Sequence, residues 1–447
     1  MKKSSKKRLK IGIIGFNREG QSVLKYLKNS KQYRSAEITI LDKNPEIKVP
    51  RWVKRICGPN YLRHLENFNL VFRSPGVPFM GVEIQRAIRH GIIVSSATNI
   101  FFEELLKAKR RPVIVGVTGT KGKGTTATLI YECAKAAKMK PLLLGNIGKS
   151  MLESLALAKK SKVVVLELSS FQLQDLQFSP DVAVVLHVTP DHMDAHQSLV
   201  EYYTAKGQIA AHQDRNGRLF YFPNNVPSSE IARQSIGRKT LVDPETFELF
   251  NQADLKIVGK HNFGNAAMAA VVARSIGCKD EIILSAVTKF KGLPYRLSLM
   301  RTIDLGGGSA VNFYNDSAAT IPEATSAAIK SFTSPTVLIS GGKSKVFDYG
   351  ALKNALLRSS TFGVVLFGEN REKIVGQLHG GTQAIEIKSG NLSTVVQAAY
   401  NQAKTKSKEL KQPVNVLFSP ASASFDMFVD WYDRSVQFDT IVKNLKI

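Results

Sequence analysis

The chain has 447 residues, 43% of them hydrophobic and 22% charged, the make-up of an ordinary soluble protein with length for about three domains. No apolar run approaches the ~18–20 residues that cross a bilayer, and the basic start MKKSSKKRLK leads straight into a strand pattern, so neither a membrane helix nor a signal peptide is expected. The three cysteines form no CxxC pair, which argues against zinc or disulfides and fits a reducing cytoplasm; the net charge of +26 is spread along the chain without interleaved aromatics, so no specific nucleic-acid footprint is expected.

In chain order, Lys10–Gly15 (KIGIIG) reads as a buried strand entering a glycine turn and a helix. A second strand, Glu37–Leu41, ends on Asp42. Gly12, Gly15 and Gly20 are more widely spaced than GxGxxG, so the dinucleotide-type signal is weak alone. Leu70–Arg73 runs into SPGVP, and Ile92–Val94 into a polar turn. Both look like strands whose C-terminal loops face one crevice, where open α/β sheets bind ligands. The charged, Pro-bounded linker Lys107–Pro112 marks a first boundary.

Val113–Thr126 (VIVGVTGTKGKGTT) is the most informative stretch. A β-branched strand feeds a glycine turn carrying Lys121 and Lys123, followed by a helix over Ala127–Ala137. Such a turn aims unpaired backbone N–H groups, a helix dipole and a lysine at phosphate oxygens, which reads as a nucleotide-triphosphate loop although the spacing departs from GxxxxGK[ST]. Lys162–Leu168 and Val182–Val188 are further buried strands, ending in Glu167–Ser170 and in TPDHMDAH. A carboxylate and an imidazole at such tips can hold Mg2+ beside a triphosphate, and Glu167 and His192 are the pair expected to do so. Lys206, beyond the helix-like Leu199–Tyr203, by itself suggests only an ordinary surface lysine.

Gly259–Gly277 reads as a helix with Asn262 and Asn265 in its first turn and Gly277 at its C-cap; the two amides suit either a nucleotide clamp or N-terminal capping. Gly292–Ser298 and the glycines 306–308 bracket a second boundary near residue 300. Strands at Ala310–Tyr314, Thr336–Ser340, Gly363–Phe367 and Val414–Phe418 then end in the loops NDSAAT, GGKSK, GEN and SPASAS, where a second substrate would sit.

The ordered set GVTGTKGKGTT, GNIG (Gly145–Gly148), ELSSFQL (Glu167–Leu173), VTPDHMD, HNFGN (His261–Asn265), LPYR, NDSAAT, GGKSK and SPASASFDMF resembles the Mur ligase family over essentially the whole chain after the basic tail. Within the family, ELSSFQL and SPASAS resemble the branch that adds D-glutamate to UDP-N-acetylmuramoyl-L-alanine. The resemblance implies an α/β fold of three domains. These are a Rossmann-like UDP-substrate-binding domain (1–108), a central P-loop ATPase-type mononucleotide-binding domain (109–299) and a Rossmann-like glutamate-binding domain (300–447). It implies a cytoplasmic enzyme of peptidoglycan synthesis, expected as a monomer, that uses ATP and two Mg2+ ions to convert a carboxylate into an acyl phosphate for capture by D-glutamate.

Carried over by motif, Lys123, Glu167, His192 and Lys206 would be catalytic. Thr125, Glu167, His192 and Lys206 would serve the metal, with Lys206 in the place of a lysine that becomes carbamylated. Gly119, Thr120, Lys121, Gly122, Lys123, Gly124, Thr125, Thr126, Asn262, Asn265, Arg296 and Asp316 would bind ATP. Gly15, Asp42, Lys43, Ser74, Gly76, Asn146, Ser169 and Gln172 would line the UDP-substrate. Thr320, Lys345, Ser424, Phe425 and Trp431 would form the glutamate pocket. Three departures stand out: Lys121 and Gly124 in the phosphate loop, Ala318 where the family has lysine, and LPYR for LPHR. The loop also resembles that of folylpolyglutamate synthases, so a related ligase with another acceptor or amino acid, or a catalytically silent, nucleic-acid-associated relative, remains an alternative.

Overall fold

A computed structural model describes residues 8–145, 150–193, 195–343, 348–378, 384–387 and 390–445. Its described residues form three sheets, each built mainly from parallel strands. The first contains β1 (Lys10–Ile14), β2 (Glu37–Asp42), β3 (Lys54–Cys57), β4 (Leu70–Arg73) and β5 (Ile93–Ser96), in the order β3-β2-β1-β4-β5. All its pairings are parallel. Helix α1 (Arg18–Asn29) connects β1 to β2, α2 (Val82–Arg89) connects β4 to β5, and α3 (Ala97–Leu106) follows β5. Apolar residues cover both faces, as in any doubly wound sheet: Ile11, Ile13 and Phe72 on one, Ile14, Leu41 and Val71 on the other.

The second sheet holds β6 (Val113–Thr118), β7 (Pro141–Leu144), β8 (Val163–Glu167), β9 (Val182–Val185), β10 (Arg218–Tyr221) and β11 (Arg238–Leu241), ordered β11-β10-β9-β6-β8-β7. Around it lie α4 (Lys123–Ala136), α5 (Leu155–Ala158), α6 (Ser170–Leu173), α7 (Leu199–Ala211), α8 (Val226–Arg233), α9 (Lys260–Ser275) and α10 (Asp280–Lys289). The order places β6 between β8 and β9, so the loops carrying Glu167 and the segment 187–192 flank the glycine turn. Gly277, with φ +100°, ends α9 as expected. Its N–H donates to Arg274 O, and that of Cys278 to Ala273 O, the paired bonds of a Schellman cap.

The third sheet runs β12-β13-β17-β14-β15-β16. Its strands are β12 (Ser298–Gly306), β13 (Ser309–Asn315), β14 (Thr336–Gly341), β15 (Thr361–Phe367), β16 (Ala384–Ile387) and β17 (Pro413–Phe418). Its helices are α11 (Pro322–Ile329), α12 (Gly350–Leu357), α13 (Arg371–Leu378), α14 (Leu392–Leu410) and α15 (Trp431–Asn444). Along β14, Val337 and Ile339 pack into one core and Leu338 into the other, which is why the strand reads as a continuous apolar run. By compactness the chain divides into two units, one holding everything up to Leu249 together with Gly264–Val287, the other Phe250–Phe263 and the chain from Thr288.

Several sequence expectations need correction. The helix after the phosphate loop begins at Lys123, four residues before Ala127, and α7 carries on through Lys206. The third strand of the central sheet stops at Val185 rather than Val188. Asn265 lies in the second turn of α9, not the first. Glycines 306–308, all with positive φ, turn the hairpin joining antiparallel β12 to β13. The third sheet therefore begins at Ser298, just ahead of the boundary expected near 300.

Candidate functional site

The glycine turn after β6 is shaped by steric necessity. Gly122 sits at φ +86°, and a Cβ there would lie 2.3 Å from Asn265 Oδ1; on Gly119, at φ +149°, it would lie 2.7 Å from Leu186 Cβ. Gly122 caps α4 without a side-chain bond, and a helix start of this kind favours an anion. Thr120 braces the turn: its N–H donates to His187 O (2.8 Å) and its hydroxyl to Thr189 O (2.9 Å). The same hydroxyl lies 2.9 Å from the Tyr202 hydroxyl. Thr125 and Gly124 are half-buried and Lys121 is exposed. Thr126 Oγ1 is buried without a hydrogen-bond partner.

Two lysines converge on this turn. Lys123 Nζ donates to Gly119 O (3.2 Å) and Thr120 O (3.0 Å). Lys206, only 2% exposed, reaches from α7 to the same Gly119 carbonyl (2.8 Å) and lies over the Tyr202 ring. Burial pulls the Lys206 ammonium down to about 7, the neighbouring Lys123 cation adds to the drop, and Asp191 opposes it. The sequence alone offered no sign of this burial.

Glu167 closes β8, with Gly145 pressed so tightly against it that a Cβ there would fall 2.5 Å from Glu167 Cβ. His192 adopts left-handed backbone (φ +55°) beside Asp191, and its ring rests on Phe171 with centroids 5.3 Å apart. Among the described residues no group of three or more His, Cys, Asp or Glu could hold a metal by itself.

In the first sheet, Gly15 (φ +81°) accepts a bond from Ser74 Oγ (2.8 Å) at the ends of β1 and β4. Asp42 is occupied locally, accepting from the N–H of Phe16 (2.6 Å) and of Asn44 (2.8 Å). Lys43 and Gly76 are exposed. Ser169 and Gln172 form a capping box on α6, and the Gln172 amide also contacts Glu19. Asn146 lies outside the described residues.

The joint between these two sheets was not visible in the sequence. Arg73, 1% exposed at the end of β4, donates to both Asp175 oxygens (3.1 Å each), to Phe171 O (2.7 Å) and to Val77 O (2.7 Å). Nearby, Ser170 Oγ is 2.9 Å from His196 Nε2, whose Nδ1 lies 2.7 Å from Glu201 Oε2. Such pairings join residues far apart in the chain, and no local pattern announces them.

In the other unit, Asp316 accepts from Ser419 Oγ (2.8 Å) and Leu297 N (3.2 Å). Arg296 is exposed, on a turn where Tyr295 and Leu297 have positive φ. Asn262 Nδ2 donates to Val258 O (2.8 Å) from the first turn of α9. Thr320 is half-buried, Ser424 buried with an unpartnered hydroxyl, and Phe425 and Trp431 exposed. Lys345 lies outside the described residues.

The family profile described as Mur ligase middle domain matches residues 117–273. The UDP-N-acetylmuramoylalanine–D-glutamate ligase of Acetivibrio thermocellus is 35% identical, over 98% of this chain and 97% of the relative. That of Symbiobacterium thermophilum is 30% identical, over 97% of each. Among solved structures, the Thermotoga maritima MurF ligase in complex with ADP has a TM-score of 0.58 at 15% identity, covering 98% of this chain and 96% of that one. The UDP-N-acetylmuramate–alanine ligase of the same organism reaches 0.56 at 19% identity, covering 98% and 100%. With relatives of this identity matched over nearly their whole length, the chain belongs to the Mur ligase family of ATP-dependent ligases.

Proposed function

We propose that the protein joins D-glutamate to UDP-N-acetylmuramoyl-L-alanine in the cytoplasm, as a monomer with functional boundaries at residues 108 and 299. The γ-phosphoryl group of ATP passes to the alanyl carboxylate, giving an acyl phosphate and ADP. The glutamate amine then attacks the acyl carbon, phosphate leaves, and the ammonium proton is lost. The observation that carries this reading is the glycine turn with Lys123 and Lys206 on one carbonyl; the choice of glutamate rests on the full-length relatives that share that activity in name.

Lys123 would leave the carbonyls of Gly119 and Thr120 to neutralise charge on the β/γ-phosphates. Lys206, held near half-ionised at neutral pH, has the free amine pair that carbamylation by CO2 requires. Mg2+ fits the residues present. It prefers oxygen ligands, keeps several waters and leans on substrate phosphates. The unpartnered Thr126 hydroxyl, Thr125, the Glu167 carboxylate, His192 and a carbamylated Lys206 would hold it without a closed protein cage. When bound, the metal supplies charge neutralisation on the transferring phosphoryl group. Arg296, Asp316, Asn262 and Asn265 keep their assignment to the nucleotide, and Gly15, Asp42, Lys43, Ser74, Gly76, Asn146, Ser169 and Gln172 theirs to the UDP-substrate. Thr320, Lys345, Ser424, Phe425 and Trp431 are assigned to glutamate.

The test is ADP release by the purified protein with UDP-N-acetylmuramoyl-L-alanine and each candidate amino acid in turn. Turnover with D-glutamate alone supports the proposal. Turnover only with L-glutamate and a folate, or none with any acceptor, refutes it.

A further inference from the structure

The loops that follow β13 and β17 carry no cation: residues 315–320 read NDSAAT and residues 419–424 read SPASAS. A cation that reaches both among the described residues is Arg434, in the first turn of α15 and 0% exposed. Its Nη1 donates to Ser422 O and its Nη2 to Ser317 O, each at 3.0 Å. Among the described residues its Nε has no hydrogen-bond partner, and neither have the buried Ser317 Oγ, Ser424 Oγ and Asp426 Oδ1 on the segments around it. Among the described residues no carboxylate stands within ion-pair distance of the guanidinium, although Asp426 acts on it from further away. Burial brings it down to about 10, so it stays charged at working pH.

Stapling two carbonyls needs only a neutral donor. A full buried charge is costly unless something compensates it, and this one is left under-compensated beside the loops assigned above to the amino-acid substrate. We propose that Arg434 is a specificity-determining positioning residue: it ties the NDSAAT and SPASAS loops together and, through its under-compensated charge, biases the site those loops form toward an amino acid with a second carboxylate. The inference rests on the proposed function, because it takes those loops as the glutamate pocket.

The experiment compares kcat/KM for D-glutamate and for its neutral isostere D-glutamine in the full-length protein and in R434K, R434Q and R434M. The glutamate-to-glutamine ratio is expected to fall about tenfold or more in R434Q and R434M, through KM for D-glutamate. R434K should retain most of the preference, and KM for ATP should hold steady. An equal loss toward both amino acids, leaving the ratio unchanged, would reduce Arg434 to a staple and overturn the inference. D426N covers the case in which the arginine variants fail to fold: removing the opposing carboxylate should raise the ratio, and an unchanged or lower ratio overturns the inference. A wild-type protein that uses no D-glutamate defeats the proposed function and takes this inference with it. One that uses it while the variants keep their selectivity defeats this inference alone.

Discussion

Lys206→Met offers a quantitative test of the buried amine. The group ionises near 10.5 in the unfolded chain and near 7 in the folded one. Between those values the unfolded state holds a proton that the folded state has shed, so stability rises with pH across the window. The gap of about three and a half units sets a ceiling of roughly 4 kcal/mol on what keeping this lysine buried costs at pH 7. Methionine removes that cost but also the bond to Gly119 O, itself worth about 1.5–3 kcal/mol for a charged donor. The variant should therefore be more stable than wild type at pH 7 by about 1–3 kcal/mol. That advantage should shrink by about 2 kcal/mol by pH 9, as wild type gains what the variant cannot. Urea unfolding followed by circular dichroism, in CO2-free buffers of matched ionic strength at pH 7, 8 and 9, measures both. Parallel stability profiles for the two proteins would refute the assignment of a depressed Lys206. Activity should be lost in the variant throughout.

Other substitutions probe the rest of the architecture. Arg73→Met strands the buried Asp175 carboxylate and should cost about 3–5 kcal/mol in unfolding free energy, with part recovered in R73M/D175L; a loss under 1 kcal/mol would mean the pair is solvated. Gly122→Ala forces a side chain into left-handed backbone against Asn265 and should abolish binding of a fluorescent ATP analogue in titration; unchanged affinity would show that the turn can open. Lys123→Ala and Glu167→Ala should each lower kcat by about 10²–10³, read by ADP release. Near-normal turnover in either would mean the phosphate site lies elsewhere.

The strands most legible in the sequence are those buried on both faces, such as β6, β8 and β14, because a two-sided parallel strand has no polar alternation to blur it. Short edge strands such as β3 and β11, with exposed Lys and Arg, carry no apolar run and so leave no such trace. The glycine turn was readable because its backbone demands glycine at Gly119 and Gly122, a constraint that leaves a local trace. Lys206, Arg73 and Arg434 were not readable as buried groups. Their environments are assembled from segments distant in the chain, and a lysine or arginine letter says nothing about the depth of its side chain.

The Arg73–Asp175 lock has a thermodynamic consequence. Because Arg73 fastens the loops after β4 and around α6 through bonds within the protein itself, a ligand seated on the first sheet need not spend binding energy aligning it with the glycine turn. If the first sheet and the glycine turn hold the two ligands of the proposed function, occupancy of one should carry little information to the other, and calorimetric affinities for the two should combine almost independently.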